Sequence, residues 1–378
     1  MKTMGRYVNF IRNAGEVMSM LSVAANKISG PNEMHLKMAG EWLLKAQAAS
    51  GSEGYAHSYS LFDGWHAAYP ETTGYIVPSL LALWKHSGDT RYRESAMSAG
   101  KWLLKIQEPD GSFLDLSGKK AVFDTGQIIG GFLALYHETQ EERYLTAATK
   151  AGDFLVAEQD PDGKWSKFSY NDIPHSYYSK VSANLLELYK TCGKSIYRGH
   201  AASNVNWVIA QQADNGYFSR MAFGEKDHPY LHTISYTLEG LLEGFRVLGD
   251  RNVFMRVKKA VDALVSSGGG LLWAQYDERW RPIKNERCLT GLAQWSKLLI
   301  DLYSIEGTHD YLENAVNTLQ YVKSKQLLNG GENIKGAIPG SVPVWGSYFG
   351  FAFNNWTVKF YIDALLSLEK VLLKREGR

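Results

Sequence analysis

The sequence predicts an all-α fold, an (α/α)6 toroid of six helical hairpins with an extra helix at its start. Three observations predict it. First, five segments align with one another: ETTGYIVPSLLALW (71–84), FDTGQIIGGFLALY (123–136), SYYSKVSANLLELY (176–189), HTISYTLEGLLEGF (232–245) and CLTGLAQWSKLLIDLY (288–303), with a looser sixth member at 354–370. Their closing aromatics, Trp84, Tyr136, Tyr189, Phe245 and Tyr303, recur every 52 to 58 residues. Second, a different helical pattern precedes each: AGEWLLKAQ (39–47), AGKWLLKIQ (99–107), AGDFLVAEQ (151–159) and VNWVIAQQ (205–212), with apolar residues at i, i+3 and i+4. Third, glycine turns follow three of these: EPDGSF (108–113), DPDGKW (160–165) and ADNGYF (213–218).

Each unit therefore reads as helix, glycine turn, irregular loop, helix. A two-helix repeat cannot bury its faces alone and must stack on its neighbours. The second helix of each unit is apolar nearly all round, which favours a closed ring with these helices inside. Gly130, Gly131, Gly240 and Gly244 are expected to let inner helices approach closely. We expect residues 1–34 to form an amphipathic helix and lead-in, and 35–378 to form one toroid domain.

Composition narrows function. The 378 residues are 45% hydrophobic and 21% charged, with a formal net charge of +2, so no basic stripe invites nucleic acid. No apolar stretch is long enough to span a bilayer. Two cysteines, Cys192 and Cys288, form neither a disulfide framework nor a zinc spacing. Together with a poor match to a signal peptide, they suggest a reducing, cytoplasmic location. No metal or cofactor motif is evident: the glycine-rich 266–273 lacks a phosphate-loop lysine, and Pro229 breaks the His228/His232 spacing.

The Q-x-x-D-G-x-[FW] turns at Gln107–Phe113 and Gln159–Trp165 resemble those of α/α-toroid proteins. These include six-hairpin glycosidases, the helical domain of glucuronyl C5-epimerases, and terpene cyclases, and the resemblance spans about residues 35–370. PETTGYIVPSLL, FDTGQII, HTISYTLEGLLE, CLTGLAQ and GSVPVWGSYFGFAFNNW together resemble proteins of bacterial surface-polysaccharide gene clusters. The Asp-x-Asp-Asp and Asp-Asp-x-x-Asp motifs of terpene cyclases are missing, and neither cysteine has the setting of a toroid zinc site. Carbohydrate chemistry is the expectation that survives, with an oligo- or polysaccharide as the partner.

Inner helices that point one way would gather the residues before their N-termini on one face. Asp124 reads both as an N-cap and as a rim group. Loop 55–74 carries His57, Asp63, Trp65, His66, Tyr69 and Glu71, a mixture suited to stacking on a pyranose and working on its oxygens. Glycoside hydrolysis needs two carboxyl groups, and the expected pair is Asp63 or Glu71 with Asp124. A uronate lyase or C5-epimerase would instead use His175, Tyr177 or His232, with Arg287 against the substrate carboxylate. Trp65, His66, Tyr69, Tyr178, Arg287, Trp345, Tyr348 and Asn355 are the expected binding residues. A non-catalytic glycan-binding protein is the third reading; aromatics and amides would serve it without so many acids and histidines.

Overall fold

The computed structural model describes residues 30–268, 270–375 and 377. The helix expected over residues 1–34 falls almost wholly outside them. Twelve α-helices are described. In chain order they are α1 (Asn32–Ala49), α2 (Pro70–Ser87), α3 (Thr90–Ile106), α4 (Val122–Thr139), α5 (Glu142–Ala157), α6 (Ser179–Cys192), α7 (Ser195–Ala210), α8 (Leu231–Leu248), α9 (Arg251–Gly268), α10 (Leu289–Glu306), α11 (His309–Lys323) and α12 (Asn355–Arg375). The even-numbered helices form the inner ring. Each packs on the next, and α12 packs back on α2, so the toroid is closed.

The repeated aromatic has a backbone role as well as a packing one. The carbonyls of Trp84, Tyr136, Tyr189, Phe245 and Tyr303 accept the N–H of the left-handed residue that ends each inner helix. Those residues are Gly88, Gln140, Gly193, Gly249 and Gly307, all at positive φ. Thus the 52-to-58-residue period marks where inner helices stop.

The outer ring is tied by a glutamine that recurs at the end of outer helices. Gln107 donates through Nε2 to Gly111 O in its own turn and to Ala147 O in α5. Gln159 does the same with Gly163 O and His200 O, and Gln212 with Gly216 O and Arg256 O. Gln326 closes the circle, donating to Gly336 O and to His35 O of α1. The turn glycine then lies against the next outer helix. A Cβ on Gly111 would stand 2.1 Å from Lys150 O, and one on Gly163 2.5 Å from Ser203 O. So the Q-x-x-D-G pattern is a staple between successive hairpins, needing glycine for both φ and space.

Glycine also sets the inner ring, though not wholly where expected. A Cβ on Gly131 would meet Gly74 O at 2.3 Å, and one on Gly240 would meet the Ser179 backbone at 2.4 Å. Gly74 and Gly291 are also tight, each with a neighbour at 2.7 Å, and Gly126 lies 2.9 Å from the Val181 side chain. Gly244 has ordinary contacts, and Gly130 faces only the Asn184 side chain.

Short strands join the last loop to the first. β1 (Ser58–Ser60) pairs antiparallel with both β2 (Gly64–Trp65) and β5 (Ala352–Asn354), while β3 (Arg287–Cys288) pairs with β4 (Ser341–Val342). Asn355 Nδ2 donates to Ala56 O and Thr72 Oγ1, each at 3.0 Å. Cys288 is the N-cap of α10, its Sγ accepting the Gly291 N–H; burial pushes its thiol up to about 12. Both cysteines are free. No helix among the described residues is long and apolar enough to cross a membrane.

The two roles of turn glycine can be separated. Gly193 has φ +74° and open space around its Cβ position, so Gly193→Ala should cost only the left-handed penalty, about 1–2 kcal/mol. Gly111→Ala adds the clash with Lys150 O and should lower stability further. Denaturant unfolding of both variants checks this; equal losses would show that the staple tolerates a side chain.

Candidate active site

The inner helices open their N-termini on one face, around a cavity of about 1180 Å3. Its wall is built from Tyr69, Glu71 and Tyr75 of the α2 start, Phe123 and Asp124 of α4, and Tyr177 and Tyr178 before α6. Tyr230, His232 and Tyr236 of the α8 start, with Tyr348 and Trp356, complete it. Tyr75 and Tyr236 also line a second cavity of about 410 Å3 deeper in the ring, so they form the floor between the two. Phe360 packs on both, with ring centroids 5.8 and 5.6 Å away.

Two carboxyl groups dominate this cavity. Asp124 does not cap its helix: Ala121 is the N-cap residue of α4, and Asp124 lies in the first turn, 5% exposed. Glu71 occupies the first turn of α2. Tyr69 lines the cavity beside both, and each carboxyl group acts on the ionisation of its phenol.

Burial raises Asp124 to about 7, opposed by the neighbouring Tyr69. Burial and then the Asp124 charge raise Glu71 well above the usual carboxylate range. Both carboxyl groups therefore hold a proton more tightly than exposed acids do, and they titrate as a pair. Burial also raises the phenols of Tyr75, Tyr177, Tyr236 and Tyr348, which disfavours their use as bases. Burial lowers His232 to about 4, so its imidazole is neutral near pH 7.

Of the residues singled out by sequence, Tyr69, Glu71, Asp124, Tyr177, Tyr178, His232 and Tyr348 come together here. The others stand elsewhere. Asp63 is exposed near the β1–β2 turn, where Ser60 Oγ donates to it at 3.5 Å. Trp65 packs on Trp42 and Tyr59 and donates to Asn333 Oδ1. His66 stacks near His57. His175 is buried, its two ring nitrogens at the carbonyls of Ala222 and Tyr170. Arg287 lies over the Trp273 ring, 3.3 Å from its centroid. Trp345 is 50% exposed and outside the lining, and Asn355 is spent on ring closure. Most of loop 55–74 therefore serves the suture between first and last hairpins.

Sequence reasoning missed Tyr75 and Tyr236. The signal was present: each lies four residues, one helical turn, below a flagged rim group, Glu71 and His232. Phe123, beside Asp124 in the sequence, also lines the cavity.

The carboxyl pair makes stability depend on pH. A carboxyl group whose pKa is raised in the fold binds its proton more tightly there than in the unfolded chain. Its stabilising share is complete below about pH 4 and is lost as pH rises, through about 7 for Asp124. Glu71→Gln should therefore raise the melting temperature at pH 8 and leave it nearly unchanged at pH 4. A melting series across this range checks it; a uniform loss at every pH would mean the pair is not strained by charge.

Comparison with known proteins places this geometry. The family model of the squalene-hopene cyclase C-terminal domain matches residues 68–242. No curated protein sequence matches the chain. A solved unsaturated glucuronyl hydrolase specific for heparin superposes with a TM-score of 0.72 at 15% identity, over 91% of this chain and 98% of its own. The unsaturated glucuronyl hydrolase of Bacillus sp. GL1 gives 0.71 at 15% identity, over 89% and 97%. Cellobiose 2-epimerase of Bacillus thermoamylovorans B4167 gives 0.69 at 14%, over 86% and 95%. The chain has the α/α-toroid fold that these enzymes share.

Proposed function

We propose that the protein is a carbohydrate-active enzyme, a glycoside hydrolase in which Glu71 is the acid and Asp124 its ionised partner. One observation carries this reading: two carboxyl groups from adjacent inner helices line one aromatic cavity beside Tyr69, and burial raises both. Phe123, Tyr177, Tyr230, Tyr348 and Trp356 supply flat faces for sugar rings. Protonated Glu71 gives its proton to the glycosidic oxygen as the bond to the anomeric carbon breaks. Asp124 faces the positive charge that develops on that carbon and either attacks it or takes a proton from the incoming water.

The fold's likeness to glycan-processing hydrolases supports the substrate class. The sequence resemblance to proteins of surface-polysaccharide gene clusters points to a bacterial surface or exopolysaccharide as its source.

A uronate lyase or epimerase is the second reading, favoured by the presence of His232 in the same cavity and by the epimerase fold. It is the weaker one. Its tyrosine bases are held protonated, and Arg287 stands on Trp273 outside the cavity.

The deciding experiment incubates the protein with neutral and uronate-containing bacterial glycans in H2(18)O and, separately, in D2O, and reads products by mass spectrometry. Hydrolysis should add one labelled oxygen to the new reducing end. Glu71→Gln and Asp124→Asn should each reduce turnover by about 10²–10⁴-fold. Cleavage without labelled oxygen, or deuterium entering an uncleaved uronate, would transfer the reaction to the lyase or epimerase class. Full turnover in both variants would remove Glu71 and Asp124 from the chemistry.

A further inference from the structure

A hydrogen-bonded chain leads from the cavity into the interior of the ring. His232 and Glu239 are seven residues apart in α8, two turns along one face. Gln294 of the neighbouring inner helix α10 bridges them. His232 Nδ1 lies 2.6 Å from Gln294 Oε1, and Gln294 Nε2 donates to Glu239 Oε2 at 3.3 Å. All three side chains are buried, with His232 6%, Gln294 0% and Glu239 4% exposed.

The direction of this chain follows from the far end. An ionised carboxylate can only accept, so Gln294 must turn its amide nitrogen toward Glu239. Its oxygen then faces His232, and an amide oxygen can only accept as well. His232 must therefore carry its proton on Nδ1. Because the imidazole is neutral, Nε2 is left with a free lone pair. Nε2 meets no hydrogen-bond partner among the described residues, while the ring lines the large cavity.

Cations surround Glu239 and offset part of the cost of burying its charge. Lys180 pairs with Glu243, Lys297 and Arg246 with Asp301, and Lys359 with Asp363. Burial raises Glu239 to about 7 and Glu243 adds to the rise, while Lys180, Lys297 and Lys359 oppose it, so the carboxyl group is ionised at pH 8. Four cations thus face Glu243, Asp301 and Asp363, and ionised Glu239 supplies the fourth negative charge. Oε1 of Glu239 has no hydrogen-bond partner among the described residues.

We propose that Glu239, acting through Gln294, locks His232 in the Nδ1–H tautomer, so that an unprotonated Nε2 faces the cavity and accepts a hydroxyl hydrogen of the bound saccharide. Glu239 and Gln294 are positioning residues, and His232 is the group that touches the ligand. The ligand rests on the saccharide reading above; the tautomer does not.

The test uses full-length protein labelled with 15N-histidine at pH 8, where Glu239 is ionised. Long-range imidazole correlation spectra distinguish the two neutral tautomers, and His232→Asn identifies the His232 signals. The wild type should show protonated Nδ1 and bare Nε2. Glu239→Gln offers Gln294 a donor as well as an acceptor, so both tautomers of His232 should appear. Gln294→Leu, which cuts the chain in its middle, is the second variant should Glu239→Gln not fold. In parallel, diethyl pyrocarbonate should modify His232 in the wild type, read by peptide mass spectrometry, and several-fold more slowly in Glu239→Gln. An Nε2–H tautomer in the wild type, or identical spectra in all folded variants, would overturn the lock. An unreactive wild-type His232 would overturn its presentation to the cavity. Neither result depends on whether a glycan is hydrolysed, so failure of this proposal stays distinct from failure of the hydrolase reading.

Discussion

The site depends on how closely two inner helices can approach. A Cβ on Gly131 would stand 2.3 Å from Gly74 O, and one on Gly74 would stand 2.7 Å from Ile128 Cα. The backbones of α2 and α4 touch there without side chains between them. That contact draws the first turns of the two helices together, where Glu71 and Asp124 lie. A larger residue at either glycine would push α2 from α4 and shift the two carboxyl groups relative to each other. Fold and chemistry are coupled here through two missing methyl groups, and the coupling is local to one pair in a ring of six.

Much of the architecture was legible because repetition amplifies weak signals. One leucine-rich segment ending in an aromatic is ambiguous. Five at a nearly fixed interval specify a hairpin array, and the structure assigns the aromatic carbonyl a chain-stopping hydrogen bond each time. The staple glutamines were visible as a motif, but their partners were not, since each donates to a carbonyl some forty residues away in the next outer helix. Backbone acceptors leave no trace in side-chain identity.

The site was legible in part, for a related reason. The first turns of inner helices were identifiable as a converging set, and Glu71, Asp124, Tyr177 and His232 follow from that alone. Loop 55–74 has the composition of a sugar site, yet Trp65, His66 and His57 are used at the seam between the first and last hairpins, which β1, β2 and β5 stitch. Aromatic and polar residues suit a seam as well as a pocket, so composition could not separate the two. His175 is similar: a loop histidine whose two nitrogens meet two carbonyls is a strut.

The ring interior treats buried acids in two opposite ways, and the contrast bears on function. Around Glu239 the acids are matched by lysine and arginine, and that layer is neutral through ion pairs. At the cavity the charges acting on the pair are other carboxylates: Asp124 raises Glu71 further, and Asp115 raises Asp124. There neutrality is reached by holding a proton. An ion pair fixes charge, whereas a carboxyl group raised toward neutral pH can release and regain a proton. The protein thus places cations around its interior acid Glu239 and carboxylates around the pair at the aromatic-walled cavity. A scaffold or simple binder would gain nothing from this division, because a fixed amide or ion pair recognises hydroxyl groups without the cost of repelling carboxylates. The unequal treatment of the two layers is therefore the strongest physical argument that the cavity performs acid–base work.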